Sequence, residues 1–275
     1  MSRANQLRSV WLAYVTLACS QFACAHHSPS EVIEALTEQM VAGQGTASLL
    51  IRRGDEYRAI CDEQSAAIDY QAALELEPGS LPALYGLAHA CFRLQLPDKA
   101  SSACQRAIAV ARNPDEAGAF HALLARIREQ ETDWSQALNE WQKSLESSKP
   151  EVDWYLGKAR VLSKLDRDQA ARDSLEIAIK RNPSVVLQRA WIRSLIHCGA
   201  ASEASLVIEE GLSRARWKGS WLLLRAQLEL SQDKLAAARH DAARALQEID
   251  ARLEQNPGNP WLIADRQQVL TILVD

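Results

Sequence analysis

A short pattern of residues recurs along the chain at a nearly constant interval. Tyr70 and Ala73 follow Ala66 by four and seven residues, a spacing that places the three side chains on one face of a helix. The same offsets return in segments that begin at Ala100, Ala137, Ala171, Ala204 and Ala238, at intervals of 34, 37, 34, 33 and 34 residues. A period of this length and constancy is typical of repeat proteins, in which each unit packs against its neighbours.

Each period contains two segments of helical spacing with a break between them. In the first copy, Leu50, Gly54 and Tyr57 share one helical face, and the stretch "CDEQS" interrupts the pattern. A second helix then carries Ala66 and ends at Pro78, which cannot continue a helix. Small residues at the facing positions are expected to let two antiparallel helices approach closely, while larger side chains fill the space beside them.

The composition agrees with a folded helical chain. Of 275 residues, 47% are hydrophobic and 24% are charged, which is typical of globular proteins and argues against disorder. The low number of breakers, 11 Gly and 9 Pro, favours helices over strands. The formal net charge of −4 argues against a generally basic nucleic-acid-binding protein.

The N-terminal segment differs from the rest of the chain. Arg3 and Arg8 precede an uncharged run that ends in the small-residue pattern "ACA" at residues 23–25. Such a run is shorter than a comfortable membrane span and has the features of an export signal. The sequence therefore predicts a signal peptide over residues 1–25, cleaved after residue 25, and no transmembrane span once the leader is removed.

A second interpretation of the same segment is lipid attachment. Cys19 follows "TLA", which resembles a loose bacterial lipobox with Thr16 where an aliphatic residue is usual. In that case the lipoprotein signal extends up to Cys19 and the chain carries a lipid anchor. Both interpretations export the protein, so we expect a periplasmic or outer-membrane-associated location.

The paired helices carry a family resemblance. A small residue and an aromatic on the first helix, the Ala, aromatic, Ala pattern on the second and the closing Pro together resemble the tetratricopeptide repeat. The resemblance implies an all-α, right-handed α-solenoid of about six helix-turn-helix repeats over residues 47–256. Residues 28–46 are then an N-terminal capping helix, with Ser28 or Ser30 as its N-cap. Residues 257–275 are a C-terminal capping helix.

The C-terminal cap is expected to cover the apolar side of the last repeat, which has no following repeat to pack against. The side chains expected to do so are Trp261, Leu262, Val269 and Leu270.

The resemblance also implies a binding surface. In tetratricopeptide domains, the residue after the small packing position of each first helix faces a concave groove that holds an extended peptide. Carried onto this sequence, with the neighbouring helical turns, the groove is lined by Tyr85, His89, Phe92, Arg93, Arg126, Leu156, Arg160, Lys164, Arg189, Arg193 and His197. Like charges four residues apart do not stabilise a helix, and the planar arginine group suits carboxylate or phosphate.

The alternative is that these cations lie on an ordinary solvated face, neutralised in part by Glu129, Asp153 and Glu203. One specific activity of the family is not expected here. Its chaperone-adaptor members bind a terminal peptide carboxylate through a Lys, Asn and Arg set, and this chain has Asp55 in the slot where they carry an early Asn.

Four cysteines lie outside the leader: Cys61, Cys91, Cys104 and Cys198. Their spacing matches no zinc-binding pattern. Cys91 and Cys104 fall in the two facing large-residue slots of one repeat, and in an exported protein they are candidates for a disulfide. The alternative is a pair of buried thiols that pack as small hydrophobic groups.

No motif for catalysis is present in the sequence. It contains no glycine-rich phosphate loop, no HExxH and no GxSxG. We therefore predict a protein that is not an enzyme and has neither a cofactor nor a metal. A weaker alternative is an enzyme or metal carrier that uses His89, His121 or His197.

The predicted function is that of an exported scaffold for protein–protein interaction. Its partner would be another envelope or secreted protein, bound through an acidic or extended segment in the basic concave groove, with no role for nucleic acid. The alternative is a component of an envelope polysaccharide-export or pilus-assembly machine, in the form of an outer-membrane lipoprotein.

Overall fold

The computed structural model describes the chain from Ser28 to Val274, and every regular element in that part is helical. The predicted all-α class is confirmed. The predicted leader, with Cys19, lies outside the described residues. In chain order the helices are α1 (Pro29–Gln39), a π-helical turn (Met40–Gln44), α2 (Ala47–Ala59), α3 (Glu63–Leu76), α4 (Leu81–Arg93), α5 (Pro97–Val110), α6 (Pro114–Gln130), α7 (Trp134–Ser144), α8 (Val152–Lys164), α9 (Asp168–Arg181), α10 (Val185–His197), α11 (Ala201–Arg214), α12 (Gly219–Ser231), α13 (Leu235–Gln255) and α14 (Pro260–Val274).

The helices from α2 to α13 form six consecutive pairs, and the chain divides into two compact units. The first unit ends at Ala107, inside α5, and contains α1 and the pairs α2/α3 and α4/α5. The second unit begins at Ile108 and contains the remaining four pairs and α14. At the start of the first unit, Ser28 caps α1 in a reciprocal arrangement with Glu31, which satisfies backbone N–H groups at the helix end.

A left-handed residue follows the first helix of every pair. Its φ angle lies between 56° and 72°, and the N–H groups next to it bond to carbonyls of the last helical turn, as in Asp62 N–H to Tyr57 O at 2.8 Å. The six residues are Cys61, Gln95, Thr132, Asp166, Gly199 and Asp233. One of these is glycine and two are aspartate, types that adopt this conformation more readily than others, so the turns at Cys61, Gln95 and Thr132 are the ones held by the packing of their helices alone.

In the first unit, an aromatic ring lies directly on two glycines. Tyr70 of α3 is fully buried between Gly54 of α2 and Gly86 of α4, and a Cβ atom on Gly86 would lie 2.3 Å from the Tyr70 ring. The Tyr70 hydroxyl donates a hydrogen bond of 2.6 Å to Asp55. The ring therefore occupies the space that the missing side chains leave, and three helices approach around it.

The second unit repeats this contact with tryptophan. Trp141 of α7 is fully buried against Gly157 of α8, where a Cβ atom would lie 2.4 Å from the indole. Trp221 of α12 lies in the same way on Gly211 of α11. These contacts between successive helices are closer than any residue with a side chain would allow.

The C-terminal helix α14 buries a stripe that includes a carboxylate. Leu262, Asp265, Val269 and Ile272 recur at helical spacing and are all buried, whereas the side chain of Trp261 is 60% exposed. Trp261 was expected to cover the last repeat, and that expectation is wrong because the residue lies beside the buried stripe rather than on it. Leu262, Val269 and Ile272 join the apolar core formed by α10 to α13.

The disulfide predicted between Cys91 and Cys104 is absent from the described structure. Both side chains are buried, and Cys91 is a free thiol. Burial raises the pKa of the Cys91 thiol, which favours its neutral form. The pair thus packs as small apolar groups, the alternative given by the sequence.

None of the helices between Ser28 and Val274 combines the length and the apolar character that a membrane span requires.

The contact between Trp141 and Gly157 gives a direct test of the packing. We expect Gly157→Ala to lower the free energy of unfolding by about 1–3 kcal/mol, because the new methyl group overlaps a rigid indole. This loss outweighs the roughly 1 kcal/mol that alanine gains over glycine in a helix. Urea denaturation measures the change. Gly79→Ala is the control, since a Cβ atom there meets nothing within 4 Å and its stability should stay near that of the unchanged protein.

Candidate ligand-binding cleft

A cleft of the second unit lies between two first helices, α8 and α10, with the second helix α9 as its floor. Its volume is about 550 Å³. The residues that line it are Leu156, Ala159, Arg160 and Ser163 on α8, Asp168, Ala171 and Leu175 on α9, and Ala190, Arg193, Ser194 and His197 on α10. Apolar side chains thus share the lining with two arginines and one carboxylate, an excess of positive charge that suits a ligand with an anionic group.

Arg160 is held at the rim by a carboxylate of α6. Its Nε and Nη2 atoms donate to Glu129 at 2.8 and 2.9 Å, a two-point pair. Glu129 also accepts a hydrogen bond of 2.8 Å from Nε1 of the buried Trp141. The hydrogen bond to Glu129 raises the pKa of Arg160. Arg160 is therefore positioned by the core of the preceding repeat, α6 and α7, and its charge is already balanced.

The two arginines of α10 meet the C-terminal helix. Arg189 donates from Nη2 to Asp265 at 2.5 Å, and Arg193 donates from Nη2 to the neutral side chain of Gln268 at 3.1 Å. Asp265 also accepts a 2.7 Å hydrogen bond from the Ser220 hydroxyl. Helix α14 therefore places one carboxylate and one amide against the α10 arginines.

The charges at this end of the cleft do not balance. Among the described residues, Asp265 is the only carboxylate within 4.0 Å of either α10 arginine, and it lies 2.5 Å from Arg189 but 4.0 Å from Arg193. The Nε atoms of both arginines are buried and have no hydrogen-bond partner in the described structure. Burial, together with the charge of Arg189, lowers the pKa of Arg193. Arg193 thus carries a positive charge that the protein leaves largely uncompensated.

Other cations predicted for the groove of the second unit lie around this cleft. His197 approaches Asp168 at 3.4 Å, and one oxygen of Asp168 is buried without a hydrogen-bond partner in the described part of the chain. Arg126 pairs with Asp153 at 3.3 Å on an exposed surface. Lys164, at the end of α8, is exposed. Of the predicted set, Leu156, Arg160, Arg193 and His197 line the cleft itself.

The remaining predicted groove residues belong to the first unit. Tyr85 and His89 of α4 form a tilted ring contact with centroids 5.7 Å apart. Arg93 is exposed and lies 3.6 Å from Glu63, and Phe92 is partly buried beside it. These residues form a surface of their own unit.

The sequence does not predict the contacts that Asp265 and Gln268 make with the α10 arginines. Both residues belong to the C-terminal capping helix, and its pattern gives no sign that a carboxylate would lie in the buried stripe. The acidic counterparts Glu129 and Asp153, in contrast, were anticipated as partners that neutralise part of the set.

Within Ser28–Val274, no group of three or more His, Cys, Asp or Glu side chains is arranged to hold a metal ion.

Comparison with known proteins identifies the repeat. Residues 62–127 match the family model of the tetratricopeptide repeat. The segment 62–127 therefore carries the tetratricopeptide repeat. A comparison with curated protein sequences finds no match.

Solved structures share the tetratricopeptide fold at low sequence identity. A tetratricopeptide repeat protein from Parabacteroides merdae is 17% identical, with a TM-score of 0.52, and the alignment covers 88% of this chain and 99% of that one. PilF from Pseudomonas aeruginosa is 15% identical, with a TM-score of 0.57 and coverage of 82% and 96%. A chain of the APC/C hetero-tetramer Cut9–Hcn1 is 14% identical, with a TM-score of 0.56 and coverage of 88% and 46%. These identities show a common fold.

The tetratricopeptide fold is a scaffold for protein–protein interaction, and proteins built from it are generally not catalysts. The fold of the chain therefore suggests an interaction scaffold.

The contact between Asp265 and Arg189 can be tested by stability. The two side chains are 5% and 17% exposed, so Asp265→Asn leaves buried guanidinium charge without a carboxylate. We expect the free energy of unfolding to fall by about 3 kcal/mol in urea denaturation. Asp250→Asn is the matched control, because the pair of Asp250 with Arg266 also joins α13 and α14 but is 43% and 44% exposed. The Asp250→Asn substitution should lower the free energy of unfolding by less than about 1 kcal/mol. Equal losses would contradict the buried character of the Asp265 contact.

Proposed function

We propose that the cleft between α8 and α10 binds an extended acidic segment of another protein, and that Arg193 holds a carboxylate of that segment. The supporting observation is the charge of Arg193, which the described structure compensates only through a neutral amide and a carboxylate 4.0 Å away that Arg189 holds more closely. A ligand carboxylate at this point would balance the two arginines of α10 together with Asp265.

The shape of the cleft favours a chain without its own secondary structure. Leu156 and Ala190 in its walls are partly exposed and offer apolar contact, and its lining also offers the guanidinium of Arg160 and the imidazole of His197. An extended peptide can place successive side chains against both, while the preformed helices keep the loss of conformational freedom on binding small. Arg160 contributes less net attraction than Arg193, since Glu129 already neutralises it.

The cleft belongs to an exported protein in this proposal. The predicted leader, which lies outside the described residues, would deliver the cleft to the envelope, where the partner would be an envelope or secreted protein with an acidic segment. Mass spectrometry of the N-terminus of the native protein tests this step. We expect a chain that begins at His26, or one that begins at a lipid-modified Cys19. A chain that retains residues 1–25 without modification would contradict export by this leader.

Binding of a model peptide tests the cleft. We expect a fluorescein-labelled oligo-glutamate to bind the unchanged protein, measured by fluorescence anisotropy, and an oligo-glutamine of equal length to bind much more weakly. Affinity should fall as salt is added, because the attraction is between charges at a partly exposed site. Arg193→Gln should weaken binding roughly tenfold or more, as expected for the loss of a hydrogen bond to a charged group.

Arg181→Gln is the control variant, since it removes the same charge from an exposed position of α9 outside the cleft. It should bind oligo-glutamate nearly as well as the unchanged protein. Equal effects of the two variants would show a general charge effect and overturn the assignment to Arg193. A carboxylated polysaccharide such as polyuronate serves as a further arm: binding of polyuronate with no binding of oligo-glutamate would overturn the proposal of a protein ligand.

A further inference from the structure

A second pocket lies beside the same cleft at the C-terminal helix. Its volume is about 310 Å³, and it shares Leu156, Ala190 and Arg193 with the larger cleft. Its other walls come from the start of α10, with Val185, and from α14, with Trp261. The two cavities are therefore adjacent, and Arg193 lines both of them.

The pocket is lined by large apolar side chains that the core does not bury. Val185 is 64% exposed and Trp261 is 60% exposed, although both residues lie in helices whose other faces are packed. Exposed apolar side chains that converge on one concave site are typical of a binding surface, because their burial by a ligand stabilises the complex.

The wall that α14 provides is fixed in place. Leu262 and Val269 anchor the helix in the apolar core, and Asp265 ties it to Arg189 at the base of the pocket. The position of Trp261 relative to Arg193 is thus set before any ligand arrives. Such preorganisation lowers the cost of binding.

From this arrangement we infer that the pocket formed by α8, α10 and α14 is a subsite for a bulky apolar side chain, such as leucine or phenylalanine, of the peptide whose carboxylate Arg193 holds. The inference rests on the proposed function. Charge complementarity favours this occupant, because the positive charge of Arg193 in the pocket lining attracts an anionic group next to the apolar side chain. In an extended peptide, alternate side chains face the same wall, so the apolar residue lies two positions from the acidic one.

Two labelled peptides of equal charge and length test the subsite. In each, one central residue of an oligo-glutamate is replaced, by leucine in one and by serine in the other, so that glutamates stand two positions away on both sides. We expect the leucine peptide to bind the unchanged protein about tenfold more tightly in fluorescence anisotropy, as follows from burial of one leucine side chain. Equal affinity of the two peptides would overturn the inference.

Substitutions on α10 and α14 test which residues produce the preference for the leucine peptide. Trp261→Ala and Val185→Ser should bring the leucine peptide close to the serine peptide in affinity while both variants still bind oligo-glutamate. Both residues are exposed, and circular dichroism should show an unchanged helix content. Trp217→Ala is the control, because Trp217 is a 44% exposed tryptophan outside the pocket, and it should keep the tenfold preference. Retention of the preference in Trp261→Ala would place the apolar contact elsewhere and overturn the subsite.

The outcomes separate this inference from the proposed function. Failure of the unchanged protein to bind any of the acidic peptides removes the proposed function itself. Binding of oligo-glutamate that depends on Arg193 but shows no preference for leucine keeps the proposed function and overturns the subsite alone.

Discussion

The structure depends on how closely successive helices approach each other, and aromatic rings lying on glycines set that distance. A Cβ atom on Gly86 would overlap the ring of Tyr70, and a Cβ atom on Gly157 would overlap the ring of Trp141. Because helices packed this closely cannot shift along each other without steric overlap, the first helices of neighbouring repeats are held at a fixed separation. In the second unit, the contact between Trp141 and Gly157 fixes α8, one wall of the cleft, against α7. The position of that wall is therefore a product of core packing.

The arginines of the cleft are of two kinds, which differ in the part of the chain that supplies the carboxylate paired with them. Arg160 takes its partner Glu129 from the neighbouring repeat, in a two-point contact that any ligand would have to compete with. The α10 arginines take theirs from the C-terminal helix, which supplies one carboxylate for two cations. A buried ion pair adds little net stability but can specify which residues meet. Asp265 ties α14 to α10 through Arg189, and one positive charge is left over for the carboxylate that we propose as ligand.

Much of the fold could be predicted from the sequence because the period and the small-residue positions are direct consequences of helix packing. The turns were harder to predict: of the six left-handed positions, Gly199 alone has the residue type that most strongly marks such a turn, while Gln95 and Thr132 carry no such sign. The candidate cleft was predicted in part. Arg160 and Arg193 follow from their place in the repeat, but the role of Asp265 depends on a contact 76 residues away in sequence, and no local pattern reveals it.

The hydrogen bond from Trp141 to Glu129 joins the interior of a repeat to its outer face. The indole that fills the space above Gly157 also orients the carboxylate that holds Arg160. A phenylalanine in place of Trp141 would keep an apolar ring but lose the N–H donor, and with it one of the restraints on the rim cation. In related repeat proteins, the preference for one ligand over another can therefore change through core substitutions that never contact the ligand. In a sequence comparison, such a substitution would appear only as a conservative change in the core.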